Sequence, residues 1–214
     1  MTPATLSSES RQAPRSKEQV LASLQSLSSS SDSSASQLYS AFMQLIDASS
    51  SLVQNAISSA KSGDWSSSKA SMNELFSTSE FEALRAEAAS SGFKSIGLVG
   101  CVEAGLIVSG KGTLGIITGT DNLSQFYSYE SVGASAGLTE GVTGLTGLIV
   151  STDSPSNMGG TEIFGKVSVA LGAGVAVESF THIFGSGSGI LILVSGGEEI
   201  DVSVGAGYAW VESI

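Results

Sequence analysis

Residues 131–151 read S-V-G-A-S-A-G-L-T-E-G-V-T-G-L-T-G-L-I-V-S. In the first part Val132, Ala134, Ala136 and Leu138 alternate with Gly133, Ser135, Gly137 and Thr139, a period of two that sets apolar residues on one face of a strand and small ones on the other. The same alternation recurs to the C-terminus. Even-numbered Ile96, Leu98, Gly100, Val102, Ala104, Leu106 and Val108 form one face of a long strand. Ile163–Val177 alternates throughout, and Ile200, Val202, Val204, Ala206, Tyr208 and Trp210 oppose Asp201, Ser203, Gly205, Gly207 and Ala209.

Turn chemistry punctuates these runs at Ser109-Gly110-Lys111-Gly112, Asp121-Asn122, Glu140-Gly141, Asp153–Gly160, Gly185–Gly189 and Gly196-Gly197. The pattern predicts seven or eight strands in an antiparallel meander or barrel. Glycine weakens a strand unless curvature or close backbone approach demands it. Of the 26 glycines, 24 lie beyond Phe93, which favours a tightly coiled sheet or small barrel.

Upstream the period changes to that of helices. Residues 1–15 are polar, contain Pro3 and Pro14 and show no periodicity, so disorder is expected. Ser16 with Gln19 opens a short helix carrying Val20, Leu21, Leu24 and Leu27, and Ser28–Ser34 reads as a flexible linker. From Ser36 to Ser62, Leu38, Phe42, Leu45, Ile46, Leu52, Val53, Ala56 and Ala60 form a single apolar stripe that ends at Gly63. Asp64 caps a second helix with Met72, Leu75 and Phe76. Ser79 with Glu82 makes a capping box before Phe81 and Leu84, closed at Gly92. The organisation is α+β: a leader and linker over 1–34, a helical segment over 35–92 packing on the sheet, and a glycine-rich antiparallel β domain over 93–214.

Composition narrows the function. The 214 residues are 14% charged with a mean hydropathy of +0.25, and the net charge of -11 falls mainly in the second half. Residues 93–214 contain Lys94, Lys111 and Lys166 and no arginine, so nucleic acid is not an expected partner. One cysteine, Cys101, excludes an intrachain disulfide, and with the lone His182 it leaves no Cys/His metal set. Cys101 reads as buried filler. No metal or cofactor is implied. The N-terminus lacks the pattern of a signal peptide and no run is apolar enough for a spanning helix, so the expectation is a cytoplasmic protein or one exported without a cleaved signal.

Motifs that suggest catalysis have simpler readings. Gly105 to Lys111 copies the phosphate-loop spacing, but Gly112 stands where a magnesium-holding hydroxyl is required. Gly133-Ala-Ser135-Ala-Gly137 is a literal G-x-S-x-G with Asp153, Glu178 and His182 downstream, yet no helix can follow it to form a nucleophile elbow. His182 reads as a turn or rim residue, and Glu103, Glu130, Glu140, Glu162 and Glu178 as solvated strand-face carboxylates. No catalytic residue is assigned.

Two functions remain. One is a soluble, non-catalytic binding or interaction module with the aliphatic face inward and the Gly/Ser face outward or under the helices. Such a barrel can take a small apolar ligand in its mouth, a protein partner or a second copy. Tyr127, Tyr129, Tyr208 and Trp210 are the candidate rim for a ligand or lipid headgroup. The other is a membrane-acting protein or exported effector whose aliphatic face meets lipid. Val132–Val150 and Val167–Val177 resemble the insertion hairpins of β-pore-forming toxins.

Overall fold

Eight strands, all paired antiparallel, close into a barrel in the order β1-β2-β3-β8-β5-β6-β7-β4. The computed structural model describes residues 17–105, 108–137, 141–167, 175–183, 187–194 and 202–214. The expectations for residues 1–15, the break at Glu140 and the turn at Gly196-Gly197 lie outside these. The strands are β1 (Ser95–Gly105), β2 (Val108–Gly119), β3 (Phe126–Gly137), β4 (Gly141–Ser151), β5 (Gly160–Val167), β6 (Val175–His182), β7 (Ser188–Val194) and β8 (Val202–Ser213).

The topology is not a simple meander. Strands 1 to 3 are sequential neighbours and β4 returns beside β1; strands 5 to 7 repeat that wiring and β8 returns beside β5. Each half is a Greek key, and β8 against β3 and β7 against β4 seal the two together, leaving no sheet edge.

Two boundaries differ from expectation. Ser109 to Lys111 lie within β2, paired with Gly105 to Glu103, so the hairpin bends earlier than the glycines suggest. The expected single strand Ile163–Val177 is instead divided between β5 and β6, with Val167 opposite Val177.

Before the barrel come α1 (Lys17–Lys61), α2 (Trp65–Leu75) and α3 (Ser79–Ser90). The expected linker at Ser28–Ser34 is helical, and α1 runs through it. Serine costs a helix only roughly 0.5 kcal/mol per residue against alanine, and no Gly or Pro interrupts the run. Ser49, at φ -140° and ψ 34°, kinks the helix. On either side of the kink Ala35, Leu38, Phe42, Leu45, Val53, Ala56 and Ala60 keep one buried stripe.

Gly63 (φ +77°) ends α1, and Asp64 accepts the Ser67 N–H at 3.1 Å to start α2. The cap of α3 is Thr78, accepting from the Phe81 N–H at 3.2 Å, one residue before the expected Ser79 box. The Ser68 hydroxyl bonds the Ala56 carbonyl at 2.8 Å and locks α2 onto α1. Arg85 ties α3 to the barrel by donating to the Thr120 carbonyl at 2.8 Å.

The helices pack on the barrel. Leu38, Phe42, Leu45, Ile57, Met72 and Leu75 share a core with Ile96, Leu98, Ile116, Leu148, Val150, Val175, Val177, Ile190 and Ile192. Those β residues all point out of the barrel. The helices therefore dress the outside of β1, β4, β7, β6 and the adjoining end of β2, and a second core fills the inside.

Candidate functional site

Strand register assigns every side chain to the inside or outside of the wall. On β1 the odd positions point in: Val99 and Cys101 join Ile117, Tyr129, Leu145, Ile149, Met158, Phe164, Phe180, Leu191 and Leu193 in the inner core. Carried round the barrel, the same parity brings Ser109, Lys111 and Thr113 of β2, Tyr129, Ser131, Gly133 and Ser135 of β3, and Ser203, Gly205 and Gly207 of β8 inside. The expected soluble arrangement is thus reversed on these strands. The Gly/Ser face is the concave lining, and the aliphatic face is the exterior.

An eight-stranded barrel has an interior only wide enough for side chains to fill it. Small residues inside make room for a few large ones: the Phe164 ring lies 2.9 Å from where a Cβ on Gly133 would be and 2.5 Å from one on Gly205. Glycine is required there because any larger side chain would displace the ring. This is the close approach that the in-strand glycines foretold.

The interior also holds charge. Glu103, Glu162, Glu178 and Lys111 are buried, against the expectation of solvated carboxylates, whereas Glu130 is exposed and Glu140 lies outside the described residues. Lys111 Nζ bonds Glu178 Oε1 and sits 4.8 Å from the centre of the Phe164 ring. Burial, the largest single influence, works to lower the Lys111 pKa, but the charge and hydrogen bond of Glu178 together with the charges of Cys101 and Glu162 outweigh it, and the ammonium is held above the usual lysine value. Glu162 accepts from the Tyr129 hydroxyl at 3.3 Å, and its carboxyl is pushed up by burial, with Lys111 opposing. Burial and then the neighbouring Glu162 charge push Tyr129 well above the usual phenol range.

The G-x-S-x-G serine is committed elsewhere. Ser135 Oγ lies 2.6 Å from Ser109 Oγ, and both hydroxyls donate to Glu103 Oε1, at 3.3 and 3.0 Å. This cluster stands where β1 meets β2 at their hairpin. His182 is at the other end of the barrel, buried rather than on a rim, with Nδ1 3.2 Å from Asp153 Oδ2. Ser135, Asp153 and His182 are not brought together. Cys101 is buried as expected and accepts from Thr113 Oγ1 at 3.6 Å; burial raises its thiol pKa.

The four-ring rim is also divided. Tyr127 and Tyr129 face inward, while Tyr208 and Trp210 point out with ring centres 4.9 Å apart. The physical reason is register, since Tyr127 and Tyr129 pair with Ser213 and Val211 and share their inward parity. Tyr208 and Trp210 belong instead to an apolar exterior. Val102 (46%), Val108 (68%), Val132 (55%), Val204 (62%), Tyr208 (46%) and Trp210 (46%) are large hydrophobic residues left exposed, all on the outside of β1, β2, β3 and β8. Val132 pairs with Tyr208, Ala134 with Ala206 and Ala136 with Val204, so the exposed positions are continuous. The soluble reading of the alternation puts Val108, Val132 and Val204 inside the barrel, and the membrane-acting reading puts them outside. For Val132 and Val204 the sign that could have placed them outside is the set of neighbouring glycines of opposite parity, Gly133, Gly205 and Gly207, which fit a crowded concave lining.

Neither a protein-family model nor a curated protein sequence matches the chain. Among solved structures, the virulence-associated protein VapD from the intracellular pathogen Rhodococcus equi is similar, at 14% identity, covering 56% of this chain and 99% of that chain, with a TM-score of 0.39. No helix among the described residues is long and apolar enough to cross a membrane.

Proposed function

We propose that the protein is a non-catalytic binding or interaction protein whose working surface is the exposed outer wall of β2, β3 and β8, not the barrel interior. The observation that carries this reading is the clustering of the exposed Val108, Val132, Val204, Tyr208 and Trp210 on one side of the barrel. Scattered surface hydrophobics need no explanation, but a contiguous patch marks an interaction site. The interior, by contrast, is occupied by Phe164, Phe180, Tyr129 and Met158 and by the Lys111–Glu178 pair. A small apolar ligand in the barrel has its place taken by the chain's own side chains.

A photo-crosslinking amino acid at position 204 is the test. In cells that express the protein it should capture a protein partner, while the same group at position 57, on the buried face of α1, captures none. Adducts only from helix positions, or none from position 204, would refute the reading.

A second reading is favoured by the aliphatic exterior and Gly/Ser lining, which is the polarity of a membrane barrel wall. The packed interior and the helices seated on half of the exterior weigh against a pore. Phosphatidylcholine vesicles loaded with dye should keep it when the protein is added; rapid release would instead support the membrane-acting alternative.

A further inference from the structure

The covered part of the wall shows how a helix is received. Beneath α1 lies Gly100, where a Cβ would collide with the Lys61 side chain and come within 3.0 Å of Ile57 Cγ2. The chain's own helix thus seats an aliphatic residue and a lysine, four positions apart, over a gap left by glycine.

Outward-facing Gly110 and Gly112 on β2 leave the same kind of gap, yet nothing lies within 4 Å of a Cβ on either. Gly112 is in register between Val102 and Val132, and Gly110 faces Ala134. Inside the barrel Gly133 and Gly205 are explained by Phe164, Gly97 by Ile117, Gly115 by Val99 and Gly147 by Leu193, and outside it Gly100 is explained by α1. At Gly110 and Gly112 the chain's own packing explains nothing.

Toward the other end of the same wall, Ser128, Glu130, Trp210 and Glu212 line a shallow groove of about 300 Å³. Glu130 is the cross-strand partner of Trp210, and Ser128 of Glu212. Neither Glu130 nor Glu212 has an ion-pair partner among the described residues. Two carboxylates beside an indole form a receptor for a cation, and a net charge of -11 steers cationic partners toward it.

We propose that the wall of β2, β3 and β8 docks an amphipathic helical segment of another protein that carries a lysine or arginine. Its apolar residues pack over Gly112, Val132 and Val204, and its cation enters the groove between Glu130, Trp210 and Glu212. The proposal rests on the outer-wall reading above and names the partner's chemistry. From Val204 to Trp210 the strand extends about 20 Å, the length of about 13 helical residues. Three to four turns of helix cover that distance, long enough to engage both the valines and the groove.

The experiment is selection of 16-residue peptides from a random displayed library against the full chain. Enriched peptides should carry Lys or Arg spaced three or four from aliphatic residues and become helical on binding. Their affinity should fall at least tenfold on Glu130→Gln/Glu212→Gln, weaken with added salt, and drop below detection on Val132→Asp, with Tm of each variant confirming the fold. Val132→Ser, a milder change, should also weaken binding.

Peptides that need Val132 and Val204 but show no cationic preference would overturn the inference and leave the outer-wall reading standing. Peptides indifferent to Val132 and Val204, or no enrichment at all, would overturn both. A Trp210 emission shift with phosphatidylcholine vesicles, abolished by Val132→Asp, would make the occupant lipid and also overturn the proposal.

Discussion

Leu98 and Val132 are both outward-facing aliphatic residues in the middle of barrel strands, yet Leu98 is 1% exposed beneath the helices and Val132 is 55% exposed. The strands that carry them have the same alternation. What differs is only whether the chain supplies its own cover. The helical layer ends over β1, one end of β2 and Phe126 at the start of β3, and beyond it Val108, Val132, Val204, Tyr208 and Trp210 continue the apolar exterior uncovered by the helices. A two-residue period thus says which side chains share a face. It does not say whether that face meets a core, a partner or water.

Substitutions that probe the two sides should separate sharply. Leu98→Ala empties a fully enclosed site and should cost about 2–5 kcal/mol in denaturant unfolding, whereas Val132→Ala should stay within about 0.5 kcal/mol. Equal costs would break the contrast between covered and bare wall.

The interior should be nearly as sensitive as the helix interface. Lys111→Met strands the buried Glu178 carboxylate and should cost about 3–5 kcal/mol, and adding Glu178→Leu should recover most of that because the charge is then gone as well. A negligible cost for Lys111→Met would mean that the pair is solvated and the lining is not closed.

Smaller effects follow pH. The raised Glu162 pKa means that the folded chain keeps a proton over a range in which the unfolded chain, near 4.5, has lost it. Its contribution to stability is therefore full below that value and is lost as pH rises through the folded pKa. Glu162→Gln should raise the midpoint of unfolding at pH 8, and the gain should shrink toward pH 4. Lys111, Glu178, His182 and Tyr129 are the titratable groups that act on this carboxyl. Tyr129 and Lys111 are also raised, so each favours the protonated folded state and the barrel should lose stability above about pH 10. Tyr129→Phe should flatten that alkaline decline.

The smallest effect is expected on the bare wall. Val132→Ser with Val204→Ser should leave stability within about 0.5 kcal/mol per site, since both side chains are already in water.

Much of this architecture is legible in the sequence. The abrupt onset of glycine at Phe93 marks the barrel, the stripe from Leu38 to Ala60 marks the helix that covers it, and Gly63, Asp64 and Gly92 mark helix ends by local backbone chemistry. The facing of the wall was not legible, because alternation is symmetric between its two sides. Only barrel radius breaks that symmetry: Gly133, Gly205 and Gly207 fit a crowded concave lining, which then admits Phe164 and a few ionised groups. Burial of Glu103, Glu162 and Glu178 was missed for the same reason. Their partners Ser109, Tyr129 and Lys111 come from other strands, and cross-strand pairing depends on register. The serine run 28–34 was misjudged because low complexity alone does not interrupt a helix.

Thiol labelling tests the facing most directly. Cys101 is buried, so a single cysteine introduced into a Cys101→Ala background reports its own exposure. Val132→Cys and Val204→Cys should react with a water-soluble thiol reagent at the rate of an exposed thiol, while Ser131→Cys and Ser135→Cys in the folded protein should react at least a hundredfold more slowly. Rapid modification at positions 131 and 135 with protection at 132 and 204 would put the aliphatic face inside the barrel and contradict the account.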